Sequence, residues 1–525
     1  MIRIRQIKVP VTSDINLETA ISKKIKVSEK DIKKIKIHKK SLDARKKPNI
    51  FWVYEVDIEI DNEDKYLNIN NDIIKTPIEV YEVKTIGTKE MKNRPVIIGA
   101  GPAGLFAAYL LSGNGYNPVI YERGEKIEDR VKTVEEFWQT GTLNKNSNVQ
   151  FGEGGAGTFS DGKLNTLIKD ERFIMRKVYE TFVECGAPEE ILFLNKPHIG
   201  TDILRNVVVN MRNKIISMGG EIHYNSHFND FELENNKLSK IKINDEWIDC
   251  ENLILAIGHS ARDTFELLYN KKINMESKPF AVGLRIEHPQ ELINENQYGK
   301  NYPSFLPPAE YKLTYTTNSG RGVYTFCMCP GGYVVNASSE ENRLVVNGMS
   351  NNLRDTENAN SAVIVTITKD DFGDSPLDGM NFQRKLEEKA YKLGNGNIPI
   401  QIFKDYTNNQ ITALGNIKPI TKGKYSYANL NKIFPEYINE SLKEGINNFS
   451  SKIKGFNSDG ALLLGVESRT SSPIKILRNE NFISNIEGIY PCGEGAGYAG
   501  GITSSAMDGI KVAEKIIEIY KPKED

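Results

Sequence analysis

Val96-Ile97-Ile98-Gly99-Ala100-Gly101-Pro102-Ala103-Gly104 opens a stretch that runs through an apolar segment to Pro118-Val119-Ile120-Tyr121-Glu122. It reads as strand, tight turn, helix, strand. Val96 to Ile98 is a short apolar run ending in glycine, as in a buried parallel strand. Gly99, Gly101 and Gly104 fall on the G-x-G-x-x-G spacing. The first glycine permits the turn, the second lets a pyrophosphate approach the backbone, and the third lets helix and strand pack closely. Ala103 to Leu111 is almost wholly apolar, which suits a helix buried against a sheet, and Gly113 or Gly115 can end it. The helix N-terminus points free amides and the positive dipole end at the phosphates. Glu122 follows Gly104 by 18 residues, where an acid accepts hydrogen bonds from a ribose. The context predicts a dinucleotide site, and an acid at that position argues for FAD or NAD rather than NADP.

The chain has 525 residues, enough for about three domains. Its formal net charge is −1, so the molecule as a whole carries no strong field. The longest apolar tract, residues 95–111, is shorter than the ~20 residues a membrane-spanning helix needs, and glycines interrupt it. Met1-Ile2-Arg3-Ile4-Arg5 lacks the apolar core of a signal peptide. Five cysteines in this length do not make a disulfide framework. These features predict a cytoplasmic protein with no membrane partner; no metal site is predicted.

Residues 1–90 are expected to form a small α+β domain. Ile2, Ile4, Ile7 and Val9 suggest a strand with one irregular step, and Leu17, Ala20 and Ile21 a short helix. Trp52, Tyr54, Val56, Ile58 and Ile60 alternate with polar residues, a half-buried strand. Residues 1–50 hold 15 Lys and Arg against 5 Asp and Glu, net +10. That count raises nucleic-acid binding as an alternative, but a charge run usually marks a solvated face, so no nucleic-acid partner is predicted.

Phe151 to Asn165 is a second glycine cluster, too glycine-dense for a helix or strand interior. Such a loop can lay backbone amides against a phosphate or a flat ring, and Ser160, Asp161, Gly162 and Lys163 add polar contacts. Residues 203–218 read as a helix, and 222–224 and 238–243 as strands. Leu253 to Gly258 is another buried strand ending in glycine. Residues 275–475 look different: hairpins at 312–328 and 333–347, a strand at 363–368 and a helix at 382–393 suggest a β-rich substrate domain. It is inserted into an FAD-binding domain formed by 91–274 and 476–525. Gly488 to Gly495 is a further strand ending in glycines, and Gly500-Gly501-Ile502 opens a helix whose dipole favours negative charge.

These stretches resemble the FAD-dependent dehydrogenase proteins that carry an extra N-terminal domain, a group distantly similar to the glutathione-reductase-like flavoproteins. The matching segments are 96–122, 152–165, 253–263, Phe280 to Arg285, Glu467 to Pro473 and 493–509, with Ser41 to Arg45 a looser match. The resemblance implies an α/β, Rossmann-like FAD-binding fold and non-covalently bound FAD. It implies that Gly99, Gly101, Pro102, Ala103 and Gly104 hold the pyrophosphate and that Glu122 and Arg123 lie at the adenosine. Gly258 is implied to abut the cofactor's far side. Gly493 and Glu494 are implied beside the ribityl-pyrophosphate, and Gly501 and Ile502 beside the flavin ring. The activity implied is that of an FAD-dependent oxidoreductase with a small-molecule substrate.

No second G-x-G-x-x-G opens a helix between 160 and 260, so NAD(P)H has no dedicated domain and is expected at most as a transient donor. No C-x-x-C accompanies the glycine motifs. Cys327-Met328-Cys329 is the one close pair; in a regular strand the two face one side, about 6.6 Å apart, and they read as structural thiols rather than redox groups. Arg285, His288, Arg321, Glu467 and Arg469 are candidates to hold an anionic substrate. No nucleophile–base–acid relay is visible, and catalytic residues are not assigned. An RNA-associated flavoprotein and a non-catalytic FAD sensor are the alternative functions.

Overall fold

The structure, a computed structural model, describes residues 1–522 except positions 68, 84, 413 and 414. At its centre is a parallel five-stranded sheet in the order Ile489–Pro491, Leu253–Leu255, Val96–Ile98, Val119–Tyr121, Glu221–His223. Every residue of Ile489–Pro491, Leu253–Leu255 and Val96–Ile98 is buried, which is why these strands read as unbroken apolar runs. Helix Pro102–Gly113 follows the first glycine motif and helix Ile502–Ile519 follows the last. The two helices touch closely because Gly509 has no side chain: a Cβ there would lie 2.1 Å from the Ala103 carbonyl oxygen. This is the α/β Rossmann-like architecture that the opening motif predicts.

The stretch 228–249, read only in part as strand, is a three-stranded antiparallel meander, Phe228–Glu234, Lys237–Ile243 and Glu246–Asp249. Residues 275–475 build a seven-stranded sheet around the long pair Phe280–Pro289 and Asn358–Ile367, matched residue for residue from Phe280↔Ile367 to Pro289↔Asn358. Both expected hairpins are present: Thr314–Thr316 pairs Gly322–Cys329, and Tyr333–Asn336 pairs Val346–Met349. The chain leaves and re-enters the Rossmann-like part side by side, because Met275–Ser277 pairs antiparallel with Ile474–Ile476.

The N-terminal sheet has the order Ile32–Lys46, Asn49–Ile60, Ile2–Pro10, Ile73–Lys75. The irregular step in its first strand is a bulge between Ile4 and Ile7, with Gln6 at φ 54°. The 15-residue strand Ile32–Lys46 is the longest in the protein's described part and is not evident in the sequence. Its lysines are poor strand formers, and pairing with the apolar, alternating Asn49–Ile60 imposes the conformation. Tyr81 and Gly87 lie against helix Ile502–Ile519: Tyr81 donates to Glu514 at 2.8 Å and the Gly87 N–H to the Ile517 carbonyl at 2.7 Å.

Candidate active site

The three glycine-bearing strand ends meet at one cavity of about 990 Å³. Gly99 takes φ 101° and passes so close to the neighbouring strand that a Cβ would sit 2.5 Å from the Ala256 carbonyl oxygen. A Cβ on Gly104 would lie 1.9 Å from the Gly99 carbonyl oxygen, so Gly104 sets the contact between helix and turn. By contrast, a Cβ on Gly258, Gly500 or Gly501 would meet nothing within 4 Å. These backbones border open space, as a cradle for a flat or phosphate-bearing ligand requires. Helices Pro102–Gly113 and Ile502–Ile519 both begin at the cavity, with N-caps Gly101 and Gly501 that offer no side-chain oxygen to the first amides. Those amides and the dipole ends are left for an anionic ligand. This donor set fits FAD.

Of the sequence-predicted residues, Gly99, Gly101, Pro102, Ala103, Glu122, Arg123, Ser160, Asp161, Gly162, Lys163, Gly258, Glu494, Gly501 and Ile502 line the cavity. Gly104 and Gly493 stand behind its wall. Gly493 spaces the last strand from the first helix, since its Cβ would lie 2.8 Å from that of Ala103, and its N–H donates to Asp508 at 2.7 Å.

Several polar side chains read as ligand contacts are occupied within the protein. Glu122 is buried; its Oε2 accepts the Ala100 N–H at 2.8 Å and its Oε1 those of Gly124 and Gly152 at 2.9 and 3.0 Å. Ser160 accepts from the Gly162 N–H and donates to the Gly157 carbonyl, closing its own loop. Asp161 is buried and pairs with Lys163 at 3.0 Å and with Arg354 at 2.5 Å. Burial pushes its pKa up, but the two cations outweigh it and hold the carboxyl at about 2. The Lys163 ammonium also donates to the Met328 carbonyl. Arg123 lies over the Phe151 ring at 4.2 Å and pairs with Asp263.

Arg130 is invisible to motif reading, yet it shapes the glycine loop. It is fully buried and donates to the carbonyls of Asn148, Val149, Gly152, Glu153 and Gly155. Gly152 must lack a side chain because a Cβ would lie 2.3 Å from Arg130 Cδ. The loop is thus folded under a guanidinium and reaches the first motif, where the Gly154 N–H donates to the Ala100 carbonyl at 2.8 Å. The signal available in sequence was only an arginine on the apolar side of helix Ile127–Thr140.

The seven-stranded sheet supplies further wall through Thr325, Phe326, Cys327, Met328 and Glu467, joined by Asn347, Arg469, Thr470 and Ser471. Burial lifts the Glu467 carboxyl to about 7 even though Arg285 donates to it at 2.8 Å. His259, directly after Gly258, approaches Glu494 at 3.3 Å through Nδ1, and its buried Nε2 has no partner. Arg469 is spent on Glu387 at 2.8 Å and on Ser339 and Ser260. His288 and Arg321 stand outside the cavity wall: His288 is fully buried against the Phe456 carbonyl, and Arg321 pairs with Asp371. Neither is placed to hold a substrate.

Family comparisons agree with this layout. Residues 279–470 match the family "FAD-dependent protein, C-terminal domain-like", residues 97–149 the NAD(P)-binding Rossmann-like domain, and residues 1–59 a domain of unknown function (DUF8436). A protein of Clostridium beijerinckii, described as uncharacterized, is 50% identical over 530 residues, covering 99% of both chains. An L-amino-acid oxidase of Demansia vestigiata is 44% identical over 57 residues, 10% of this chain and 11% of the other. Among solved structures, the glycine oxidase of Bacillus cereus is similar at TM-score 0.35 and 11% identity, over 81% of this chain and 95% of that one. The L-proline dehydrogenase of P. horikoshii is similar at TM-score 0.34 and 14% identity, over 82% and 94%. No helix among the described residues is long and apolar enough to cross a membrane. The chain belongs, with the Clostridium beijerinckii protein, to the family of FAD-dependent proteins that join a Rossmann-like nucleotide-binding domain to the FAD-dependent protein C-terminal domain.

Proposed function

We propose that the protein passes hydride between a small organic molecule and non-covalently bound FAD, with the molecule entering on the side of the antiparallel sheet. The observation that carries this reading is the meeting of two helix N-termini without side-chain caps, at Gly101 and Gly501, over one cavity. The amides after Gly101 would hold the pyrophosphate, with Gly99 and Gly104 fixing the turn. Glu122, already the acceptor for three backbone N–H groups, keeps unused lone pairs for a ribose hydroxyl. The helix after Gly501 would favour negative charge at its start.

FAD, when bound, accepts or returns a hydride. The chain's own residues then orient the substrate and manage a proton. Glu467, held near 7 by burial, is close to half-protonated at neutral pH and so can give or take a proton in the wall of the cavity. His259, near enough to Glu467 to act on its charge, has a buried Nε2 without a protein partner.

The region 160–260, where a second nucleotide-binding motif would stand, holds the meander instead. NAD(P)H, as a transient donor, would therefore use the substrate cavity and leave before the oxidant enters, giving ping-pong kinetics. Purified protein should be yellow and release FAD on denaturation. Colourless, folded protein that FAD cannot reconstitute sinks the reading. Anaerobic mixing with NADH and then NADPH, followed at the oxidised-flavin band, tests the donor. Bleaching in a ternary complex with substrate defeats the shared cavity, and no bleaching by either assigns the reductant role to the organic substrate.

A further inference from the structure

The pair Cys327 and Cys329 departs from what a regular strand predicts. The pairing of Gly322–Cys329 with Asn358–Ile367 breaks between Phe326 and Cys329, and Cys327 sits in the bulge at φ 43°, a left-handed conformation uncommon for a residue with a side chain. The bulge turns Cys327 into the cavity wall, half-buried, while Cys329 stays buried behind it. The Cys329 thiol faces its neighbour, 3.4 Å from the Cys327 carbonyl oxygen. Two strand steps span about 6.6 Å, within the roughly 4.4–6.8 Å over which a disulfide closes.

We propose that Cys327 and Cys329 are a redox dithiol that reduces an organic disulfide admitted to the cavity, Cys327 attacking and Cys329 resolving. The surroundings match the roles. Arg285 donates to the Cys327 carbonyl at 3.2 Å, and Lys163 donates to the Met328 carbonyl. Both cations favour a thiolate at Cys327, and the nearby carboxylates Asp161 and Glu467 oppose it. A bond from the Cys329 thiol, together with Arg285 and Lys163, holds Cys327 well below the ordinary thiol range against the opposing effect of burial. Burial pushes the other thiols up: Cys185 to about 11, Cys250 to about 12, and Cys492 well above the ordinary range. A thiolate is the attacking species, so Cys327 alone of the five is prepared to attack; Cys329, raised well above the ordinary range by its bond to Cys327, is left as the resolving thiol.

In the first step the Cys327 sulfur bonds to one sulfur of the substrate, the substrate S–S bond breaks, and one thiolate leaves. In the second, Cys329 gives its proton to that thiolate and attacks Cys327, forming the 327–329 disulfide and releasing the second half of the substrate as a thiolate, which takes its proton from water. Two electrons have passed from the dithiol to the substrate. Their replacement from reduced FAD rests on the proposed function; the two steps above do not.

The test uses full-length protein with glutathione disulfide as probe and mass mapping of the cysteines. Wild type should form a 327–329 disulfide, Cys329→Ser should hold one glutathione on Cys327, and Cys327→Ser should form neither. With native wild type, iodoacetamide should label Cys327 at least tenfold faster than Cys185 or Cys250, which needs no variant to fold. Adducts on other cysteines, or equal labelling, overturn the proposal. FAD content is read on the same samples. Bound FAD without the disulfide defeats the dithiol alone, and the disulfide without FAD defeats the cofactor reading alone.

Discussion

Glu122 Oε1 accepts the Gly152 N–H at 3.0 Å, tying the end of the second parallel strand to a loop 30 residues further on. The same carboxylate holds Ala100 in the first turn and Gly124 beyond the strand. One side chain therefore fixes three backbone segments around the cavity. Glu122→Ala should lose more than a ligand contact, because three buried N–H groups are orphaned, and charge-assisted bonds contribute about 1.5–3 kcal/mol each. Flavin fluorescence titration should show FAD affinity weakened at least tenfold, with a lower melting temperature even without FAD. An unchanged dissociation constant removes Glu122 from the site.

Two glycines of the same cavity should respond in opposite ways to one methyl group. Gly104→Ala places a Cβ 1.9 Å from the Gly99 carbonyl oxygen, so the helix must move off the strand. Overpacking of that kind costs about 1–3 kcal/mol, and the fold and FAD binding should fail together. Gly501→Ala meets nothing within 4 Å, and Gly501 has extended backbone at φ 165°. Its melting temperature should stay close to wild type, while FAD affinity falls because the methyl enters the ligand's space. Equal effects on stability would contradict the distinction.

The fold was legible where chemistry forces a local signature. Gly99, Gly101 and Gly104 announce the turn because any side chain there collides or blocks a phosphate. The buried parallel strands read as apolar runs because both faces are covered. What escaped has no local signature. Ile32–Lys46 is a strand through its pairing, not its lysines. Arg130 acts on carbonyls 18 to 25 residues away. The Cys327 bulge depends on register with Asn358–Ile367, and the burial that raises Glu467 comes from surrounding elements. Ser160 and Asp161 sit in the wall as expected, but their partners are protein groups that only the folded chain brings near.

The pH dependence of stability should carry the mark of Glu287. Burial raises its carboxyl to about 8, and its contacts from the Ile420 N–H, at 3.3 and 3.4 Å, are too long to offset this. Between the ordinary carboxylate value and about 8 the folded state keeps a proton that the unfolded state has released. Stability from this group is full at low pH and falls as pH rises, by at most about 1.4 kcal/mol per unit. His288, lowered to about 4 by burial, has the opposite sign but acts only below its ordinary value of 6.5. Cys327, held well below the ordinary thiol range, acts with the opposite sign in the same range, so urea unfolding at pH 6.5 and 8 should be read as a difference: Glu287→Gln should gain stability relative to wild type as pH rises.

Where the N-terminal part is cut should matter. Removing residues 1–75 deletes the four-stranded sheet and spares the segment on the terminal helix. Removing 1–90 also deletes Tyr81, bonded to Glu514, and Gly87, whose backbone packs so closely that a Cβ would lie 2.2 Å from the Ile519 carbonyl carbon. Both truncations keep every glycine motif. The shorter deletion should bind FAD with near wild-type affinity, and the longer one should melt lower and bind more weakly. Loss of FAD from a folded 76–525 chain would show that the N-terminal sheet supports the cavity.

Glu387 ties the part built on the seven-stranded sheet to the Rossmann-like part. It is fully buried on helix Asp378–Gly394 and lies between Arg262, at 2.7 Å, and Arg469, at 2.8 Å. Arg262 opens the helix after strand Leu253–Leu255, and Arg469 follows strand Leu462–Glu467 at the cavity wall. Burial alone would raise the Glu387 carboxyl, but the two guanidinium groups hold it far below the ordinary range. Glu387→Gln leaves two buried cations facing each other, a loss of about 3–5 kcal/mol by analogy with other broken buried pairs. Because the folded pKa is depressed, the stability it contributes is present above the ordinary carboxylate value and is lost as pH falls through and below it. The variant should therefore unfold at lower urea at pH 7, and its deficit from wild type should shrink toward pH 3. Arg469, in the cavity wall, loses its carboxylate partner and keeps only Ser260 and Ser339 at short range, so FAD affinity should drop along with stability. A deficit under about 1 kcal/mol at pH 7 would mean that Glu340, which already reaches Arg262 at 2.5 Å, balances both arginines without it.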